Sequence, residues 1–276
     1  MATAVNGGSF RSRFIGSGGT DFAEARPYAG EDIRDVDWKT SAKKDELYAK
    51  KFELERDMPL MLVVDVSGSG RFGTRGTDKR TAIEDAAAVL ALAAAHSNIR
   101  VGLVILSDKV EQVIPARGGT RHAMMIVDAI LKAQPTGTTT DLKPGLETAA
   151  RLLGSRSMVA VLSDFIAPDF KDALSALSSR HDVRAIRVTD PAEMAPLPDV
   201  GLLPVVDAET GATRMLDTSS RAGRAESAAN ISRREAAVEA AFEASRIKPI
   251  SLSTEGDPLE NLELSFHPKT RQPFKP

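Results

Sequence analysis

Short, valine-rich apolar runs separated by helix-length segments constrain this chain more than any other feature. Leu60–Val66, Val101–Leu106 and Met158–Leu162 are continuous in hydrophobicity rather than alternating. Each is bounded by Pro, Gly, Ser or Asp. That pattern marks strands buried on both faces. Between them lie Thr81–His96, with Ala and Leu at helical spacing, the amphipathic Arg121–Ala133, and Leu142–Leu153. Val110–Ile114 reads as a short edge strand and Asp169–Ser178 as a helix following Pro168. Val183–Val188, Leu203–Val206 and Ile250–Leu252 read as further strands, and Ser219–Ser245 as one long helix or two broken ones. Strands alternating with helices predict an α/β fold: an open, mostly parallel sheet with helices on both faces. In such sheets ligands gather at the carboxyl ends of the strands, so the residues that follow each strand matter most.

Composition narrows the chemistry. The chain has 276 residues, 42% of them hydrophobic, enough to bury a core. Its 36 basic and 38 acidic residues leave a formal charge of −2, without the basic field that nucleic acid or anionic lipid would need. It contains no cysteine, which excludes disulfides, thiolate nucleophiles, zinc ribbons and iron–sulfur clusters. The longest apolar run, Ala86–Ala95, is too short to span a bilayer, and Met1–Thr20 has no apolar signal-peptide core. A cytoplasmic protein without a membrane span is the expectation.

Three strand-end segments carry small hydroxyls and carboxylates: Asp65-Val66-Ser67-Gly68-Ser69, Thr138-Thr139-Thr140-Asp141 and Ser163-Asp164-Phe165. Hard oxygen donors of this kind suit one Mg²⁺ or Mn²⁺ ion. Hydroxyls neutralise little of its charge, so the cation would seek a carboxylate from outside the chain. The stretch Gly68–Gly73 spells GxGxxG, but polar residues follow it where a dinucleotide site would open directly into a helix. A phosphotransferase or phosphatase using Asp65 as nucleophile is the alternative reading. It lacks the second acid expected two residues on, where Ser67 stands. His96, His122, His181 and His267 show no metal-ligand spacing. A non-enzymatic role is therefore expected. The acids Glu31, Asp32, Asp35 and Asp37 are expected to pair with Arg26 and Arg34 or to cap turns.

The DxSxS at Asp65–Ser69, the later threonine and the strand-end aspartate resemble the metal-ion-dependent adhesion site of von Willebrand factor A domains. More narrowly, the chain resembles the bacterial DUF58 family, often encoded beside MoxR-type AAA+ ATPases. Arg26–Asp57 is similar to that family's hallmark segment before the first strand. Thr138–Leu142 (TTTDL) is similar to its GGTDL, with two threonines in place of glycines. Leu162–Phe165 and His181–Gly201 also match, and the resemblance runs from about Gly16 to the end. It implies a von Willebrand A-like (Rossmann-like) sheet whose metal site is formed by Asp65, Ser67, Ser69, Thr140 and Asp164. Ser67 and Ser69 would bind directly and the two aspartates directly or through water. Thr140 would bind when a partner is present, with Asp141 as an outer-shell neighbour. The resemblance further implies a MoxR-type AAA+ ATPase as partner, a client protein offering a carboxylate, and chaperone-like maturation or remodelling. Residues 1–56 are expected to form an N-terminal extension, 57–210 the A-like domain and 211–276 a helical appendage packed on it.

Overall fold

The valine-rich runs become strands because a continuous apolar segment can bury both of its faces only inside a sheet covered on two sides. The computed structural model describes residues 21–28, 36–44, 46–53, 58–73, 77–137, 139–154, 156–195, 199–206 and 213–255. It divides into two units, Asn6–Asp57 and Met58–Pro276 together with Met1–Val5. In the smaller unit, β1 (Asp21–Pro27) pairs antiparallel with β2 (Tyr48–Glu53), and a short helix α1 (Trp38–Lys44) lies between them in sequence. Asp37 caps α1 by accepting hydrogen bonds from the Lys39 and Thr40 backbone N–H groups and from the Thr40 hydroxyl. This is the capping role expected of the acidic cluster. Glu31, Asp32 and Asp35 lie outside the described residues.

The larger unit begins with β3 (Leu60–Asp65), α2 (Lys79–His96), β4 (Val101–Leu106), β5 (Val110–Arg117), α3 (Thr120–Lys132) and α4 (Lys143–Leu152). It continues with β6 (Met158–Ser163), α5 (Lys171–Arg180), β7 (Asp182–Thr189) and α6 (Pro191–Met194). Last come β8 (Leu202–Val206), β9 (Thr213–Asp217), α7 (Arg221–Ser245) and β10 (Ile250–Ser253). Six strands form one sheet in the order β10-β7-β6-β3-β4-β5. All neighbours are parallel except β4 and β5, so the sheet is mixed and mostly parallel.

Side chains alternate across β3. Leu62 and Val64 face α2 and α3, where they are buried with Ala82, Ala86, Ile126 and Ile130. Met61 and Val63 face α4, α5 and the end of α7, where they are buried with Leu146, Leu174 and Phe242. Helices therefore cover both faces. No helix among the described residues is long and apolar enough to cross a membrane.

Several expectations change in detail. Leu203–Val206 does not join the main sheet: β8 pairs with β9 in a separate two-stranded antiparallel sheet. Pro204 has no N–H for an interior ladder, and Leu202 is 67% exposed. The edge strand β5 runs on to Arg117 and is antiparallel. Ser219–Ser245 is resolved as a single helix, capped by the Ser220 side chain and ended by Arg246 in the left-handed conformation. In α7 only Val238, Ala241, Phe242 and Ser245 are buried. The helix is thus seated through its last two turns.

The Phe242 ring meets Phe165 edge-on at 4.9 Å between centroids. Phe242→Ala is expected to lower stability by about 3–5 kcal/mol in urea unfolding. Leu202→Ala, on the exposed hairpin, is expected to change it by less than about 0.5 kcal/mol.

Candidate metal centre

From β3 the chain crosses to β4 on one side and later returns to β6 on the other, so the strand order reverses at β3. The crevice beyond the carboxyl ends of β3 and β6 is the place where such a sheet offers a ligand site. Asp65 ends β3, and Asp164 directly follows β6. The register brings Ser163 beside Asp65, and the Ser163 hydroxyl donates to Asp65 Oδ2 at 2.6 Å. Asp65 Oδ1 accepts the Ser67 backbone N–H at 2.9 Å. The Ser67 and Ser69 hydroxyls lie 3.1 Å apart where Gly68–Arg71 winds into a 3-10 turn. The loop carrying Thr140 is tied to the same sheet edge by Asp141 N–H donating to the Ser107 carbonyl beyond β4. Thr138 lies outside the described residues. The Asp141 carboxylate accepts the Lys143 N–H at the start of α4.

Burial governs the electrostatics. Asp65 and Asp164 are 3% and 2% exposed. Loss of water, followed by repulsion from Asp164, pushes the Asp65 carboxyl up to about 6, against the opposing pull of its bonds from Ser163 and Ser67. Asp164 is held in place through an uncommon backbone. Phe165 has φ 59°, a conformation a bulky residue tolerates only when its surroundings fix it. They do: Phe165 is fully buried against Phe170 and Phe242, and its N–H donates to the Ser163 hydroxyl oxygen. Asp164 Oδ1 accepts the Ile166 N–H, and the Asp164 carbonyl accepts from Arg187 on β7.

One residue of the site escaped the sequence reading. Lys79, the first residue of α2, is fully buried and donates to Asp164 Oδ2 at 2.7 Å. It also donates to Glu193 Oε1 and Oε2 on α6, at 2.8 and 3.0 Å. Burial opposes its charge, but Asp164 and then Glu193 outweigh that, and the ammonium is held above its ordinary range. A signal was present, since a lysine in the first turn opposes the helix dipole and so calls for an acidic partner. Ser163 was noted at its strand end, but its bond to Asp65 depends on which strands are neighbours.

Hydroxyl and carboxylate oxygens are the donor types that a small divalent cation takes. Neighbouring ligands of an octahedron with bonds of about 2.1 Å lie roughly 3.0 Å apart, close to the Ser67–Ser69 separation. The Thr140 hydroxyl is buried and has no hydrogen-bond partner among the described residues, as a donor oxygen reserved for a ligand would be. The carboxylates each retain lone pairs beyond the bonds they accept. Such a site rests on hydroxyls: no group of three or more His, Asp or Glu suited to a metal occurs among the described residues.

Residues 24–237 match the family model described as "Protein of unknown function DUF58". The chain is 33% identical over 200 residues to uncharacterized proteins of Mycobacterium tuberculosis and Mycobacterium bovis. The match covers 71% of this chain and 63% of each relative, so the chain spans less than two thirds of their length. Among solved structures it is similar to an aerotolerance-related membrane protein from Bacteroides fragilis, at 16% identity and a TM-score of 0.44 over 68% of this chain and 98% of that one. It is also similar to the conserved hypothetical protein BatB from Bacteroides thetaiotaomicron, at 14% identity and a TM-score of 0.43 over 68% and 99%.

The raised Asp65 carboxyl sets a pH dependence. Between the ordinary value of 3.8 and about 6, the folded protein holds a proton that the unfolded chain has released. Stability of the metal-free protein is therefore expected to fall as pH rises through that window, by on the order of 3 kcal/mol, and to level off above it. Asp65→Asn, nearly isosteric and uncharged, is expected to flatten that fall in a series of denaturant melts from pH 4 to 7.

Proposed function

The chain belongs to the DUF58 family of proteins of unknown function, and on that premise we propose that it is a von Willebrand factor A-like interaction module. Its Asp65, Ser67, Ser69, Thr140 and Asp164 would hold one Mg²⁺ or Mn²⁺ ion. When bound, the ion supplies an electrophilic centre for an aspartate or glutamate carboxylate from a partner protein. Ser67 and Ser69 bind it and leave most of its charge unspent. Asp65, fixed by Ser163 and the Ser67 N–H, orients the turn that carries them. The observation that carries this reading is the Thr140 hydroxyl, buried and without a hydrogen-bond partner among the described residues, on a loop tied to the same sheet edge. In line with the family resemblance, the partner is a MoxR-type AAA+ ATPase in the cytoplasm, acting with this protein to mature or remodel a client.

One feature favours this reading over phosphoryl transfer. Ser67 stands where the general acid–base partner would be required. The proposed role is therefore recognition rather than catalysis.

Calorimetric titration of Mg²⁺ and Mn²⁺ is expected to give one-to-one binding that Asp65→Ala abolishes and Ser67→Ala weakens at least about ten-fold. Capture of the AAA+ ATPase by the immobilised protein should then require the ion. Turnover of phosphoesters lost in Asp65→Ala would sink the proposal, as would metal-independent capture unaffected by Ser67→Ala.

A further inference from the structure

The metal ligand expected at Asp164 already has a cation. Lys79 Nζ sits 2.7 Å from Asp164 Oδ2, and the remaining oxygen of that carboxylate accepts the Ile166 N–H. An ammonium has three protons to donate, and here they face Asp164 Oδ2 and the two Glu193 oxygens. Glu193 stands on α6, beyond β7, and its side chain is 17% exposed, so it borders solvent while Lys79 does not. The Glu193 carbonyl accepts from Arg234 of α7 at 3.5 Å. Asp164 and Glu193 thus share one ammonium, while nearby Arg187 is paired with Glu235.

We propose that Lys79 is a resident cation of the site, shared between Asp164 and Glu193, and that this sharing sets how tightly the site holds a divalent ion. The inference rests on the metal reading of the preceding subsection. Without an ion, Lys79 neutralises Asp164 and offsets the repulsion between it and the neighbouring carboxylates. With an ion, Lys79 leans on Glu193, and Asp164 turns its free lone pairs to the site. Lys79 and the ion are like charges competing for one carboxylate, so each lowers the affinity of the site for the other. Glu193 relieves that competition by offering the ammonium a second anchor. It is a positioning residue that acts on the metal through Lys79.

The two partners must therefore shift metal affinity in opposite directions, which a lysine buried only for structural reasons would not cause. The test is Mg²⁺ and Mn²⁺ titration by calorimetry of wild type, Lys79→Met and Glu193→Gln, with thermal melts in chelator and in Mg²⁺. Lys79→Gln stands in should Lys79→Met fail to fold. Loss of the Lys79 charge is expected to tighten Mg²⁺ binding on the order of ten-fold and to enlarge the Mg²⁺-dependent rise in melting temperature. Glu193→Gln is expected to weaken binding by a similar factor. Binding by the wild type that is unchanged or weakened in the Lys79 variant overturns the inference and leaves the metal reading standing. Binding that appears only in the Lys79 variant upholds the inference and overturns the metal reading for the native protein. No binding in any of the variants overturns both.

Discussion

Burying two carboxylates side by side at the ends of β3 and β6 is the constraint around which the larger unit is arranged. An ionised carboxylate away from water is costly unless donors and counter-charge surround it. Several elements around them supply one. Ser163 comes from the end of β6, the Ser67 N–H from the turn after β3, Lys79 from the first turn of α2, and the Ile166 N–H from the turn after β6. The apolar core sets where the strands lie, but the polar edge decides which residues must stand at their ends. Asp65 and Asp164 would be poor choices if stability alone were being optimised. That the fold invests four donors in them is the physical reason to treat the edge as functional.

The same edge shows how much of the molecule is legible in the sequence. Strands β3, β4 and β6 and helix α2 announce themselves because their signal is local: apolar continuity or alanine at helical spacing. The Asp65–Ser69 segment is legible because a small, polar, Gly-containing stretch directly after a buried strand has few structural uses. What the sequence hides is adjacency. That Ser163 bonds Asp65 follows from β6 lying beside β3, and nothing in either segment states it. Lys79 carries a visible anomaly, a cation where the helix dipole disfavours one, yet its two acceptors are 85 and 114 residues away. The β8–β9 hairpin misleads for the opposite reason. Its residues have strand propensity, but exposure and Pro204 exclude it from the main sheet.

The path of support behind Asp164 runs deeper than its hydrogen bonds. Phe165 is held in a left-handed backbone conformation by the aromatic contacts of its ring, one of them with Phe242 near the end of α7. The orientation of the carboxylate on one side of the sheet edge is thus tied to the seating of a helix contributed much later in the chain. Packing and site geometry are one structure at this point. The strain in the Phe165 backbone persists because the core over-determines it.

The distances along the chain between Lys79 and its acceptors have a consequence for folding order. Contacts closing 85 and 114 residues are entropically expensive to form early, and two buried charges must lose water when they do. The ion cluster closes only once α2, the end of β6 and α6 are in place, since Lys79, Asp164 and Glu193 come from those three. A nascent or partly unfolded chain presents the individual serines and aspartates but not their convergence. A partner of the kind proposed above would consequently find its site only on a folded chain.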